Sequence, residues 1–515
     1  MLRLVCGWLV VFGVLGPAAA VDVLPSGVEP ARVEELRYLD YARQCADLVI
    51  AHGTDRYGEV RSPVLVSILD VRTRDCPQEA AALDEAWRVT RRERRNPAGA
   101  NLYTDQPMLR ALYALSLATG DGRYAAAADA SAGYTMTNLV DDKGLFWWGW
   151  HRHYDVFRDV MTGHNGDFHE IHIQAALWPE LWRVNPAAVA REIEAVWQWQ
   201  VIDKATGECN RHADGQRGCD FAMSGGEILA AMAFMYRQTR DSAWLDRARL
   251  VADYYWQVRH PATGLAPNRP NAGAERFDGG HFDTSITAFL CRGLFLATEW
   301  SGEPAFREQA VAYLKAYGKY GYDAKAKSFW GSLKLDGTPV PGPRTIGDYA
   351  QYEPRGHIDL WQPYAAGYEH AIATALVYAC AAEATGDEEL LATAKRWAES
   401  IREQFPPRSA VEHSWYGDYA REWAPHGTYA GYYGQTISFL LGMHRATGER
   451  QYLDFAREAA RESVAKLYYQ GFFRGHPCKP YYEAMDGVGY LLAALVELDQ
   501  TLTRPSAEKR LPVNW

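Results

Sequence analysis

Five stretches of the chain share one alternation of apolar and polar positions. They are LYALSLATGDGRYAAAA near Gly120, MAFMYRQTRDSAWLDRA near Thr239, LFLATEWSGEPAFREQA near Gly302, LVYACAAEATGDEELLATA near Gly386 and LLGMHRATGERQYLDFA near Gly448. In the first half of each, apolar residues recur at three- and four-residue spacing, the signature of one buried helix face. A short turn follows. Gly tolerates the left-handed position after a helix, and the Asp behind it caps a second helix with a charged or small-residue start. A sixth copy, LWPELWRVNPAAVAREIEA, is degenerate and turns at Asn185-Pro186, and LLAALVELDQTL begins another near the end.

One such hairpin cannot bury its apolar faces alone, so neighbours must stack. The expectation is an all-α fold, an (α/α) toroid or barrel of about six or seven helical hairpins, with an open solenoid as the alternative. Long irregular inserts at Asp141–Glu170, Asn268–Asp283, Asp336–Tyr364 and Glu412–Tyr433 favour the toroid. They would gather at one end and form a cleft, and loops of this length in a compact domain are usually functional. Lys327–Gly337 is the one candidate β-hairpin. By length, 515 residues allow two or three domains. A toroid can use them all, so the expected organisation is a signal peptide at 1–20 and one catalytic domain at 21–515.

The leader rests on Arg3, the apolar run Leu4–Val14 and Ala18-Ala19-Ala20, a charged start, a core too short to span a bilayer and a small-residue cleavage site. It implies a periplasmic or secreted protein with no membrane attachment after cleavage. Export permits disulfides. Seven cysteines remain beyond the leader; Cys209 with Cys219 would clamp a short loop, and Cys45 with Cys76 is a second pair. An odd count leaves a free thiol, assigned to Cys291 or Cys380 in apolar helices. The net charge of −10 argues against nucleic acid as a partner. Eighteen Trp and 31 Tyr suit a sugar-binding cleft, although ordinary helix packing also uses them.

Candidate chemistry concentrates in Leu145–Ala213, which holds six of the fifteen histidines: His151, His153, His164, His169, His172 and His212. It also carries Glu170 and Arg211. Two histidines with one carboxylate make a site for a divalent cation such as manganese or zinc. HExxH is absent, because His172 comes one residue too early. The i, i+3 spacing of His169 and His172 would put both on one helix face and keeps them as rival ligands.

The order of motifs in this region is WWGWH, then FHEIH about twenty residues on, then LWRVNPAAVAREIEAVW, then NRH roughly forty residues past the Glu. That order and spacing resemble family 2 polysaccharide lyases, the periplasmic-type pectate lyases. The resemblance is strongest over Trp147–Ala213. It implies an (α/α) toroid that cleaves α-1,4-linked galacturonan by β-elimination. It implies metal ligands at His151, Glu170 and His212, and a catalytic base at Arg211. The metal would be manganese, with calcium or another divalent cation as the alternative, and the partner an acidic polysaccharide or oligosaccharide. The family also places a second arginine on the substrate, for which Arg269 and Arg276 are the candidates. Arg344 and Arg474 lie in Gly/Pro-rich stretches that mix basic and aromatic residues, as binding of an acidic sugar chain requires.

The chemistry agrees in outline. The C5 proton of a uronate is acidic only because a carboxylate is attached, and a cation on that carboxylate stabilises the developing enolate. Three rival readings remain at this level. A toroidal glycoside hydrolase would use two carboxylates, drawn from Asp283, Glu369, Glu483 and Asp486. An epimerase would use histidines as acid and base. A carbohydrate-binding protein would need neither.

Overall fold

The computed structural model describes residues 36–78, 99–149, 151–163, 169–171, 173–271, 280–342, 354–361, 370–408 and 426–503. In chain order its helices are α1 (Tyr38–Gly53), α2 (Leu102–Thr119), α3 (Gly122–Asn138), α4 (Trp178–Val184), α5 (Pro186–Gln200), α6 (Ala222–Thr239) and α7 (Ser242–Gln257). After them come α8 (Cys291–Ser301), α9 (Pro304–Tyr320), α10 (Ala371–Thr385), α11 (Glu388–Glu403), α12 (Ala430–Thr447), α13 (Arg450–Leu467) and α14 (Val488–Thr503).

The sequence pattern decides which helices face inward. α10 is apolar on every side and buried along most of its length, as a helix packed on all faces must be. α11 buries only a stripe, with Leu390, Ala394, Trp397 and Ile401 at three- and four-residue spacing. The even-numbered helices form the inner layer and the odd-numbered ones the outer. α6 packs on α8, the turn before α8 on α10, α10 on α12, α12 on α14, and α14 on α2. The degenerate copy α4–α5 fills the arc between α3 and α6. Contact of α14 with α2 closes an (α/α) toroid, and α1 covers that seam from outside.

The turns follow the expected chemistry. Gly120, Gly302, Gly386 and Gly448 hold φ of 76, 77, 68 and 72° after their helices. Asp121, Asp241, Glu303 and Asp387 accept backbone N–H groups of the helices they start. Each such cap contributes about 1 kcal/mol. Asn185 caps α5 through Ala188 N. In the second repeat the left-handed position is occupied by Arg240, at φ 61°.

Since each inner helix returns through an outer one, all inner helices begin at the same end. The segments entering them meet there. Asn101, just before α2, donates to Gly149 O and Arg152 O, and the Tyr103 hydroxyl exchanges hydrogen bonds with the backbone of Gln174. Gly431 N, in α12, donates to Asp486 O just before α14. This end is the mouth of the toroid.

Two expectations change. Among the described residues all seven cysteines are buried thiols outside any disulfide, so neither predicted disulfide is formed. The Cys209–Cys219 loop is instead closed by the backbone bond from Arg211 N to Cys219 O, and Cys209 Sγ faces the Tyr255 hydroxyl at 3.2 Å. Lys327–Gly337 is not a self-contained hairpin either. Ser328–Phe329 pairs with Tyr322–Asp323, and Ser332–Leu333 pairs with Phe282–Asp283. The leader lies outside the described residues. Among those described, no helix is long and apolar enough to cross a membrane.

Candidate metal centre and active site

Three segments bring the site together. The first is the three-stranded sheet of Gly99–Ala100, Arg152–Asp155 and Val160–Gly163, which fixes the backbone beside His151. The second is the non-helical stretch 169–171 ahead of α4. The third is the loop after α5 that carries Arg211 and His212. Gly149 joins the first two. It sits at φ 116°, and a Cβ there would come within 2.7 Å of Glu170 N, so only glycine lets the two segments nest.

The result is a cluster around one buried carboxylate. His212 Nε2 lies 2.7 Å from Glu170 Oε1, and His151 Nε2 lies 3.3 Å from Glu170 Oε2. Arg211 Nε is 3.4 Å from Glu170 Oε1. Burial alone would raise the Glu170 carboxyl, but His212, His151 and Arg211 outweigh it and hold the group well below the usual carboxylate range. Glu170 and His212 are buried, whereas the side chains of His151 and Arg211 keep 15% and 13% of their surface. The open edge of the cluster is therefore on their side.

The donor set fits a divalent cation. One ligand atom from each of His151, Glu170 and His212 lies within 4.8 Å of the others, and ligand atoms around a single ion stand about 3–3.5 Å apart. The second nitrogen of His212, Nδ1, faces Asp214 Oδ2 at 3.5 Å. A carboxylate behind a histidine is the usual way to set the tautomer of a ligating imidazole.

A buried network backs the cluster. Gln200 Nε2 donates to the carbonyls of both His169 and Arg211, at 3.3 and 2.9 Å. These are the residues immediately before Glu170 and His212. Gln200 Oε1 meets His169 Nδ1 at 3.1 Å, while His169 Nε2 lies 2.6 Å from Glu192 Oε1 and 2.5 Å from Trp148 Nε1. His169 thus turns away from His151, Glu170 and His212, because it is not on a helix and its side chain faces the opposite way from Glu170. His153 also stands apart from the cluster, partly buried and lowered to about 4 by loss of solvent. His164 and His172 lie outside the described residues.

The candidate substrate arginines separate. Arg269 is buried, donates to Gly218 O at 3.1 Å, and places its guanidinium 5.0 Å from the Phe221 ring. Arg211 sits at 5.0 Å from the same ring, so Phe221 links the two cations. Arg474 is buried elsewhere, with Nη1 on Pro477 O and Nη2 on Lys466 O, both at 2.7 Å. Burial lowers it to about 10. Arg276 and Arg344 lie outside the described residues.

The sequence reading missed Gln200, Glu192 and Asn101. Glu192 carried a signal: it stands between Val189 and Val196, at helix spacing, on the buried stripe of α5. A charge there needs a buried partner, and His169 supplies it.

The profile of a family described as periplasmic pectate lyase matches residues 79–222, which include His151, Glu170, Arg211 and His212. Over that stretch the chain resembles the periplasmic pectate lyases. The pectate disaccharide-lyase of Dickeya dadantii (strain 3937) is 25% identical over 196 residues, covering 32% of this chain. The match spans 36% of that relative's length. Among solved structures, a family 76 glycoside hydrolase from a bovine Bacteroides thetaiotaomicron strain aligns at a TM-score of 0.45 with 14% identity, over 92% of this chain and 79% of that one. The unsaturated glucuronyl hydrolase of Bacillus sp. GL1 aligns at 0.44 with 15% identity, over 78% of this chain and 97% of that one.

Proposed function

We propose that this protein is a polysaccharide lyase that cleaves a uronate polymer, pectate, by metal-assisted β-elimination. The observation that carries the reading is the convergence of His151, His212 and Arg211 on one buried carboxylate, Glu170, inside the stretch that resembles periplasmic pectate lyases.

His151, Glu170 and His212 would hold a divalent cation, manganese by the resemblance and calcium or another divalent cation as the alternative. When bound, the cation supplies positive charge to the uronate carboxylate and so acidifies the neighbouring C5–H. Arg211, beside those ligands and at the open edge, takes the C5 proton. The C5–H electron pair becomes the C4=C5 double bond, and the C4–O bond breaks toward the leaving sugar oxygen. Guanidinium ordinarily keeps its proton. Serving as base requires the neutral form, which positive charge nearby favours. Arg269, on the same Phe221 ring, adds positive charge and is the second arginine in this scheme; Arg276 and Arg344 remain candidates for substrate binding. Export to the periplasm accords with the family's description.

A glycosidase reading needs two carboxylates facing each other across a bound sugar. Glu483 and Asp486 are instead both committed to Lys479 Nζ, at 2.9 and 2.8 Å. Asp283 is buried and accepts from Asn268 at 2.6 Å.

The test is ultraviolet absorbance of the unsaturated product from polygalacturonate, with and without chelator, beside Arg211→Ala. The expected result is activity that chelator abolishes and that the substitution lowers about 10²–10⁴-fold. Release of reducing ends without unsaturated product, on every uronate polymer tried, would overturn the lyase.

A further inference from the structure

A second recess opens at the same mouth, where α10, α12 and α14 begin. It spans about 640 Å³, part of it open to solvent. Four rings line it: Phe289, Tyr429, Tyr432 and Tyr490. Phe289 is aimed there by a π-helical turn, Ile286–Leu290, in front of α8. π-turns of this kind recur at functional sites. Four polar side chains stand between the rings: Gln174, His370, Gln435 and Asp486.

Part of the floor is bare backbone. Gly487, at φ 81°, lies so close to Gly431 that a Cβ there would come within 2.6 Å of the Gly431 Cα. The two helix starts therefore meet without side chains between them. Two of the polar groups are held by neighbours. Asp486 is held by Lys479, and the Tyr490 hydroxyl donates to Gln174 Oε1. His370 packs edge-on against Phe289 at 4.6 Å, and its Nε2 is buried with no hydrogen-bond partner. A buried imidazole nitrogen without a partner is costly unless something fills that role.

Aromatic faces interleaved with carboxylate, amide and imidazole groups match one ligand chemistry best, a pyranose ring. Its C–H face stacks on rings, and its hydroxyls both donate and accept. The charged groups here, Lys479 set between Glu483 and Asp486, sum to one negative charge, so nothing singles out a phosphate. The recess is also tied to the metal centre by sequence. Ile173 and Gln174 line it and come three and four residues after Glu170, so the two places stand within about 14 Å along the backbone.

We propose that this recess is a sugar subsite, which holds one pyranose ring of the same polysaccharide whose bond is broken at Arg211. The proposal rests on the lyase reading for the identity of the chain. It assigns the recess to ground-state binding, away from the bond that breaks.

The test uses the full-length protein loaded with metal, with Tyr432→Ala and separately Gln435→Ala, each checked for an unchanged thermal unfolding midpoint. Both residues lie at the recess and outside the metal cluster. Calorimetric binding of a galacturonate oligosaccharide and steady-state cleavage of polygalacturonate are measured side by side. The subsite predicts that Kd and KM rise about tenfold in Tyr432→Ala while kcat and metal affinity stay put, since uniform binding is what is lost. Gln435→Ala should follow with a smaller rise. Normal Kd and KM in both variants would overturn the subsite while leaving the lyase intact. If no uronan yields unsaturated product, yet some neutral or acidic oligosaccharide binds and Tyr432→Ala weakens it, the lyase falls and the sugar site stands. If no oligosaccharide binds the unmodified protein, the subsite falls.

Discussion

Two buried ion clusters sit at the mouth of this toroid, and each is the inverse of the other. Near α2 and α6, one carboxylate, Glu170, is surrounded by His151, His212 and Arg211. Ahead of α14, one ammonium, Lys479, is held between Glu483 and Asp486. The first set is rich in groups that take a cation, because imidazoles and a carboxylate are ligands in their neutral and anionic forms. In the second, Lys479 holds both carboxylates together and locks the loop that enters α14. Burial is similar in the two. What separates them is the central group, a carboxylate among groups that take a cation against an ammonium that takes none.

Breaking the second set should damage the fold and spare the metal. Lys479→Met removes the ammonium and leaves two buried carboxylates facing one another. Losing one partner from a buried ion cluster costs about 3–5 kcal/mol. We expect a drop of that size in the free energy of unfolding by urea, while calorimetric metal affinity stays within about twofold. A large fall in metal affinity would mean that the two clusters are mechanically joined and that the contrast is false.

The open set should respond in the opposite sense to a change behind it. Gln200 bridges the carbonyls of His169 and Arg211 and touches neither the metal ligands' donor atoms nor the open edge. Gln200→Leu cuts both bonds. Outer partners of this kind are worth about 10–100-fold in metal affinity, or roughly 1.4–2.7 kcal/mol. The expected result is a metal Kd weakened by that factor, with kcat largely restored at saturating metal. Unchanged metal affinity would mean that the strands and Gly149 hold the ligands without Gln200.

The scaffold was far more legible in the sequence than this second layer. The hairpin repeat is a local signal: helix period, left-handed glycine and capping acid all lie within twenty residues of one another, and Gly120-Asp121 or Gly386-Asp387 states them outright. Even its exception, Arg240, sits where the pattern demands a turn. His151, Glu170, Arg211 and His212 could be singled out because their motifs follow one another in an order that resembles family 2 polysaccharide lyases. Gln200 and Lys479 carry no motif, and their roles depend on which carbonyl or carboxylate the fold brings to them. The aromatic recess draws on residues from Gln174 to Tyr490, which no window of sequence holds together. The cysteine spacing misled for a related reason. A short loop can be closed by a backbone hydrogen bond as well as by sulfur, and Arg211 N to Cys219 O does so here.

The last effect, read as a slope, concerns the Lys479 cluster in acid. His476 is buried against the Tyr429 ring, and its Nδ1 accepts from Cys478 N at 3.1 Å. Burial, reinforced by Lys479, Arg474 and His426 and partly opposed by Asp486, lowers it to about 3. The unfolded chain therefore takes up this proton near pH 6.5, long before the folded protein does. Stability from this group is fully present above 6.5 and is lost as the pH falls toward 3, with a slope of about 1.4 kcal/mol per pH unit. Asp105 and Asp283, raised to about 7 by burial, act in the opposite sense, since their protonated forms favour the fold as the pH falls from 7 toward 4. The absolute acid profile therefore mixes terms, whereas the difference between His476→Gln and the unmodified protein isolates one. Urea unfolding between pH 4 and 6.5 should show the variant's stability falling less steeply by one proton. Parallel slopes would mean that His476 is protonated in the folded protein.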